Sequence, residues 1–184
     1  MEPAFVTSNR WKFSEAEKIL NKYGINIVHA NIPLEEKRGE SVEEIAEDCA
    51  IRAFSLLGKP LFVEDSGLFV PSLNGFPGAY SAWALSKIGN EGMMRLLEGK
   101  PRDAEFRCCA AYTEDGIHAR AFTGSVRGTI SGEPRGSGGF GYDPIFVPEG
   151  EEKTFAENPS LKGRLSHRAA ALQKLGEFLS GRQR

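Results

Sequence analysis

The stretch LFVEDSGLFV, Leu61 to Val70, decides how this chain is read. It has the composition of a buried strand, yet two adjacent acids, Glu64 and Asp65, interrupt it. Near-continuous apolar strands belong to sheets covered on both faces, where a carboxylate is costly unless something compensates it. The question is what stands opposite these two charges. Strand alternation points Glu64 and Asp65 to opposite faces, so they need not share a role.

Working outward, the pattern alternates strands and helices. Pro3 to Thr7 is a short apolar strand, and Ser8-Asn9 is turn-like. Phe13, Ala16, Ile19, Leu20 and Tyr23 recur at helical spacing until Gly24. Ile25 to Ile32 alternates as a second strand. Ser41 with Glu44 makes a capping box, Val42 to Leu57 is a helix, and Gly58 and Pro60 stop it. After the third strand come a Gly/Pro turn at 73–78 and a helical stretch, Tyr80 to Leu97, broken near Gly89. Ala104 to Tyr112 and Ile117 to Arg127 pair across Glu114-Asp115-Gly116. A Gly-rich loop at 132–141, a short strand Pro144 to Val147 and a helix from Ser166 complete the chain. Residues 1–184 are expected to form one α/β domain with a mixed sheet.

Bulk properties narrow the function. The 184 residues have a net charge of -2 and are 40% hydrophobic and 26% charged, ordinary for a soluble domain. Nothing in this balance draws the molecule to nucleic acid or an anionic membrane, and the basic residues form no stripe. Cys49, Cys108 and Cys109 have no CxxC spacing and lie in apolar surroundings, so they read as core thiols. There is no leader-like apolar segment and no run near ~18 apolar residues, which points to the cytoplasm.

Several charges stand where physics disfavours them. Arg10 and Lys12 fall in the first turn after Thr7-Ser8-Asn9, and His167 and Arg168 open the last helix after Ser166. Helix N-termini carry partial positive charge, so cations there ask for an anion. GSGGFGYDPIF, Gly136 to Phe146, contains a formal G-x-G-x-x-G but leads into a strand rather than a helix, which excludes a dinucleotide fingerprint. What remains is a glycine loop presenting Phe140 and Asp143, a ring and an acceptor that suit a nucleobase. An ordinary glycine loop around a core Phe is an equally good reading. Glu35, Glu36, Glu64 and Asp65 lie near strand ends, a usual place for carboxylates that hold Mg²⁺ against phosphates. Without a metal, the acids would need Lys59 or the two helix ends.

The ordered set TSNRWK, EDSGL, GFPGAYSA, GFGYDPIF, TFAE and Lys162 with His167-Arg168 resembles the inosine/xanthosine triphosphate pyrophosphatases. The motifs span residues 7 to 168, nearly the whole chain. The resemblance implies an elongated α/β domain with a long central mixed sheet, two lobes with a cleft between them, and a homodimer. It implies a phosphate cradle of Thr7, Ser8, Asn9, Arg10, Trp11 and Lys12, with Asn9 and Lys12 touching phosphate. Glu36 and Asp65 are the implied Mg²⁺ ligands, Asp65 also the general base and Ser66 a substrate contact. Phe140, Gly141, Tyr142, Asp143, Lys162, His167 and Arg168 are the implied base pocket. Arg38 stands where the family has Gln, and Trp83 where many members have Arg. The implied reaction converts ITP, dITP or XTP with water to the monophosphate and pyrophosphate. Donors such as Arg168 or His167 would favour the 6-oxygen over the adenine amino group. A pyrophosphatase for other modified nucleotides and a non-catalytic nucleotide sensor are the rival readings.

Overall fold

In the computed structural model, which describes residues 2–34, 39 and 41–181, the first strand is β1 (Ala4–Val6), buried throughout. It pairs in parallel with β2 (Val28–Ala30) and with β3 (Leu61–Phe69), in the register Val6↔Ala30 and Val6↔Val63. Two helices join these strands: α1 (Arg10–Leu20) and α2 (Val42–Leu57). The chain continues through β4 (Pro77–Gly78), α3 (Ser81–Leu96), β5 (Asp103–Thr113), β6 (Arg120–Ile130) and β7 (Phe146–Pro148), then α4 (Pro159–Leu165) and α5 (His167–Gly181). Among the described residues the strands form one seven-stranded sheet in the order β2-β1-β3-β5-β6-β7, with β4 antiparallel to β3 and β7 antiparallel to β6. The fold is mixed α/β, as the alternating pattern predicts.

Two compact units divide the residues. The first comprises 1–65, 108–124 and 168–184. Its core joins Phe5, Phe62, Leu20 and Ile25 to Cys108, Ala110, Leu172 and Leu175, with the Phe5 and Phe62 rings stacked 4.4 Å apart. Ala169, Leu172, Leu175 and Leu179 of α5 are all buried here, as their helical spacing requires. The second unit comprises 66–107 and 125–167. Its core is built on Leu68, Met93, Phe106, Ile130, Tyr142, Phe146 and Phe155.

Local chemistry explains most boundaries. Ser41 caps α2 by accepting from the Glu44 N–H at 3.3 Å, and Gly58 closes it in the left-handed region. Gly89 breaks α3 with φ 63°, where the sequence places the break. Two expectations need correction. The second strand is confined to Val28–Ala30 rather than Ile25 to Ile32, because Ile25 and Ile27 serve the core without pairing in the sheet. Residues 159–165, given no helix by periodicity, form α4. Asn158 caps it by accepting from the Leu161 N–H, and Pro159 suits its first turn.

Gly67 shows how tightly β3 is fitted. A Cβ on Gly67 would lie 2.2 Å from the Gly78 carbonyl oxygen, so only glycine lets the turn strand β4 approach this closely. Beside it, the Leu68 N–H donates to Ser81 Oγ, which donates in turn to the Gly78 carbonyl, both at 2.7 Å. Replacing Gly67 with Ala is expected to cost about 1–3 kcal/mol and lower Tm by about 3–10 °C. Gly132→Ala, with no atom within 4 Å of the added carbon, is the control expected to leave Tm unchanged in a thermal melt.

Candidate active site

The acid pair of β3 separates by burial. The Glu64 side chain is fully enclosed, whereas Asp65 is half-buried with its Oδ2 atom inside. Glu64 has found the partners its burial demands. Lys12 Nζ lies 3.0 Å from Oε2, and Arg168 Nη2 donates to Oε1 at 3.2 Å. The Cys108 thiol donates to the same Oε1 at 3.1 Å. Arg168 also donates from Nη1 to Glu15 Oε2 at 2.8 Å. Burial alone pushes the Glu64 carboxyl upward, but Arg168, then Lys12 and the thiol, hold it well below its ordinary value of 4.5. Burial works against the Arg168 charge as well, yet Glu64 and Glu15 raise its pKa further.

Two of the cations at helix N-termini, Lys12 and Arg168, therefore meet carboxylates of the protein itself. Lys12 comes from the first turn of α1 and Arg168 from the first turn of α5. Of the partners weighed from sequence, the helix ends are those seen on Glu64. Glu15, three residues beyond Lys12 on α1, was not foreseen, because its partner Arg168 lies 153 positions away and no local spacing signals it.

The turn between β1 and α1 is closely tied. Asn9 Oδ1 accepts from the Trp11 and Lys12 N–H groups at 2.9 and 3.3 Å, and the Asn9 N–H donates to Thr7 Oγ1 at 3.1 Å. The cap thus already uses two of the helix-end N–H groups expected to face phosphate. His29 of β2, not foreseen from sequence, places Nε2 2.8 Å from the Thr7 carbonyl, which fixes the proton on Nε2. Ser8, Arg10 and Trp11 are exposed, and Trp11 retains 68% of its accessible surface.

The register Val6↔Val63 brings the turn and the acids to the same level. The pairing ends there: Thr7 follows Val6 in one segment, and Glu64 then Asp65 follow Val63 in the other. The turn follows the carboxyl end of β1. The acids lie within β3 just past its last parallel pair with β1, beside the strand end where open α/β sheets bind ligands. Glu36, the other carboxylate expected to hold a metal, lies outside the described residues, as do Glu35, Lys37 and Arg38. Among the described residues no three His, Cys, Asp or Glu side chains converge as a metal site. Among the described residues Asp65 offers a hard carboxylate oxygen of the kind Mg²⁺ takes, and one or two carboxylates suffice where phosphate and water complete the shell. The residues fit on that basis.

The second unit assembles a different group. Asp143 Oδ2 accepts from Lys162 Nζ and from the Phe140 N–H, each at 2.7 Å, and both charged side chains are almost fully buried. The Lys162 ammonium also lies 3.8 Å from the Phe140 ring centroid. Glycine is needed nearby, since a Cβ on Gly139 would sit 2.2 Å from Asp143 Oδ2. Gly141 and Tyr142 are fixed through α3: Asn90 Nδ2 donates to the Gly141 carbonyl at 3.2 Å and the Tyr142 hydroxyl to the Ser81 carbonyl at 3.0 Å. The His167 ring stacks on Phe106 at 4.6 Å. The structure thus joins Phe140, Asp143 and Lys162 directly, with Gly141, Tyr142 and His167 in the same unit. Arg168, expected beside them, has its guanidinium on Glu15 and Glu64 in the first unit.

The chain matches the Ham1 family over residues 4–178. It is 48% identical over 180 residues to a dITP/XTP pyrophosphatase of Methanopyrus kandleri, covering 97% of this chain and 96% of that protein. It is 45% identical to a dITP/XTP pyrophosphatase of Thermococcus kodakarensis, covering 97% of each. Among solved structures, a HAM1 protein from Coxiella burnetii superposes with a TM-score of 0.88 at 31% identity, covering 98% of this chain and all of that one. The Staphylococcus aureus Ham1 protein gives 0.78 at 29% identity, with the same coverage.

Enclosure of the site also governs its thiols. Burial pushes the Cys109 thiol up to about 12, and burial with the neighbouring Glu64 charge raises Cys108 well above its ordinary range. At pH 8 a thiol of that strength is about one part in ten thousand thiolate. Iodoacetamide at pH 8 is expected to spare Cys108 and Cys109 in the folded protein and modify both in denaturant, read by peptide mass spectrometry.

Proposed function

The chain belongs to the Ham1 family, and from that premise we propose that it hydrolyses ITP, dITP and XTP to the monophosphate and pyrophosphate. It is a hydrolase that removes non-canonical purine nucleotides from the pool. The observation that carries the site assignment is the β1–β3 register, whose last pair, Val6↔Val63, is followed by the Thr7–Lys12 turn in one segment and by Glu64 and Asp65 in the other. A polar turn with a lysine and a half-buried carboxylate beside it are the groups that cleavage of a phosphoanhydride needs.

On this reading Asp65 accepts a proton from a water as the water oxygen bonds to the α-phosphorus. The bond from that phosphorus to the bridging oxygen breaks, and pyrophosphate leaves with the electron pair. The Lys12 ammonium and the Asn9 side chain meet the phosphate charge. Mg²⁺ is the cofactor of this reading, held by Asp65 and Glu36, and supplies charge neutralisation on the phosphates when bound. Ser66 contacts the substrate.

Purine recognition falls to the second unit. The Phe140 ring offers a face for the base, while Lys162 and His167 supply donors suited to a 6-oxygen. Adenine would set its amino donor against those donors, a mismatch that a hydrogen-bonding site rejects strongly. Asp143 holds Phe140 and Lys162 in register rather than standing alone as an acceptor. Arg168 commits both terminal nitrogens to carboxylates and is assigned to the support of the phosphate side. The same reading includes a homodimer and a cytoplasmic location; among the described residues no helix is long and apolar enough to cross a membrane.

Product analysis tests the assignment. With Mg²⁺, ITP, dITP and XTP are expected to yield pyrophosphate and the monophosphate, with ATP turned over far more slowly. Orthophosphate with the diphosphate as products would overturn the reaction. Asp65→Asn is expected to lower kcat by about 10²–10⁴-fold while nucleotide binding persists. Near-wild-type turnover by that variant would remove Asp65 as the base.

A further inference from the structure

We propose that Glu64 is a positioning residue for phosphate binding: with Lys12 on one carboxylate oxygen and Arg168 on the other, it holds the Lys12 ammonium at the turn that leaves β1. The proposal rests on the function proposed above for that turn.

Three observations carry it. First, the pair is asymmetric, because the Glu64 side chain is fully enclosed whereas that of Lys12 keeps 21% of its surface. The carboxylate is the fixed end and the ammonium the end a ligand can reach. A free lysine at the surface samples many rotamers, and one already held loses less freedom when an anion arrives. Second, Lys12 sits in the first turn of α1, where the helix disfavours a cation and where its own N–H is taken by Asn9. The helix dipole opposes the ammonium there, whereas Glu64 at 3.0 Å attracts it. Third, Glu64 is itself over-determined. Arg168 and the Cys108 thiol both donate to Oε1, and Arg168 is in turn held by Glu15. The guanidinium and thiol fix the carboxylate, and the carboxylate fixes the ammonium.

The same geometry separates Glu64 from a metal-binding role. Each of its oxygens faces a cation, so a divalent ion approaching it would meet ammonium and guanidinium charge. Asp65 is directed to the other face of the strand. Glu15 and Glu64 balance Lys12 and Arg168 in charge, so the cluster contributes geometry rather than surplus positive potential.

The test uses the full chain carrying Trp83→Phe, which leaves Trp11, beside Lys12, as its single tryptophan. Inorganic pyrophosphate is titrated in EDTA and followed by Trp11 fluorescence or, if that signal is silent, by calorimetry. Glu64→Gln is expected to weaken pyrophosphate binding about tenfold, as Lys12→Met does, and the double variant to be no weaker than Lys12→Met alone. In turnover of dITP, Glu64→Gln should raise KM about tenfold and leave the Mg²⁺ concentration for half-activity unchanged. Three results would overturn the proposal: losses from the two variants that multiply, pyrophosphate binding tightened by Glu64→Gln, or a raised Mg²⁺ requirement in Glu64→Gln. Thermal melts report folding. If Glu64→Gln does not fold, Glu64→Asp enters the same cycle, since a side chain one methylene shorter keeps the charge but cannot reach both cations. Pyrophosphate binding in EDTA needs no turnover. If Lys12- and Glu64-dependent binding appears without dITP hydrolysis, the proposed reaction fails while the positioning role stands. Binding indifferent to Lys12 overturns the positioning role whatever the turnover.

Discussion

A carboxylate sealed inside a protein must be matched by charge or lose its ionisation, and Glu64 imposes that condition on the first unit. Its oxygens take up one cation from the start of α1 and one from the start of α5, and its thiol neighbour comes from β5. Removing one partner of such a cluster leaves a buried charge uncompensated, a loss of about 3–5 kcal/mol in comparable cases. The placement of two helices against β3 and the ionisation of Glu64 are therefore one constraint. It also accounts for cations at helix N-termini, where the helix dipole alone would exclude them.

The second unit repeats the device with other residues. Asp143, nearly sealed, is matched by Lys162 of α4, and its spare capacity draws in the Phe140 N–H. The glycine loop is thereby folded around an acid instead of being loose. Phe140 is presented with the lysine ammonium against its ring. In each unit a buried acid orders the lysine that bears on the proposed chemistry: Lys12 for phosphate and Lys162 for the base.

The division of labour within EDSGL follows from strand geometry. Adjacent residues face opposite sides, so one acid can be structural and its neighbour chemical. Ser66 comes next, and Gly67 then admits the Gly78 carbonyl where no side chain fits. Each position in this short motif answers a different physical demand.

Much of the fold was legible in the sequence. The spacing of Val42 to Leu57, the stop at Gly58, the break at Gly89 and the inward face of α5 all appear where periodicity and turn chemistry put them, because these signals are local. Residues 25–27 misled because a buried residue looks the same whether it pairs in a sheet or only fills a core. The cap at Asn158 was passed over in favour of the apolar pattern, and α4 with it. For the site, the residue types and their order singled out the Thr7–Lys12 turn, the β3 acids and the glycine loop on which the proposed function rests. What only the tertiary structure decided is who meets whom. Glu64 and Arg168 are 104 positions apart, and Glu15 and Arg168 are 153 apart. Local pattern records a residue's exposure and conformation, whereas the choice of partner for a buried charge depends on how distant segments pack.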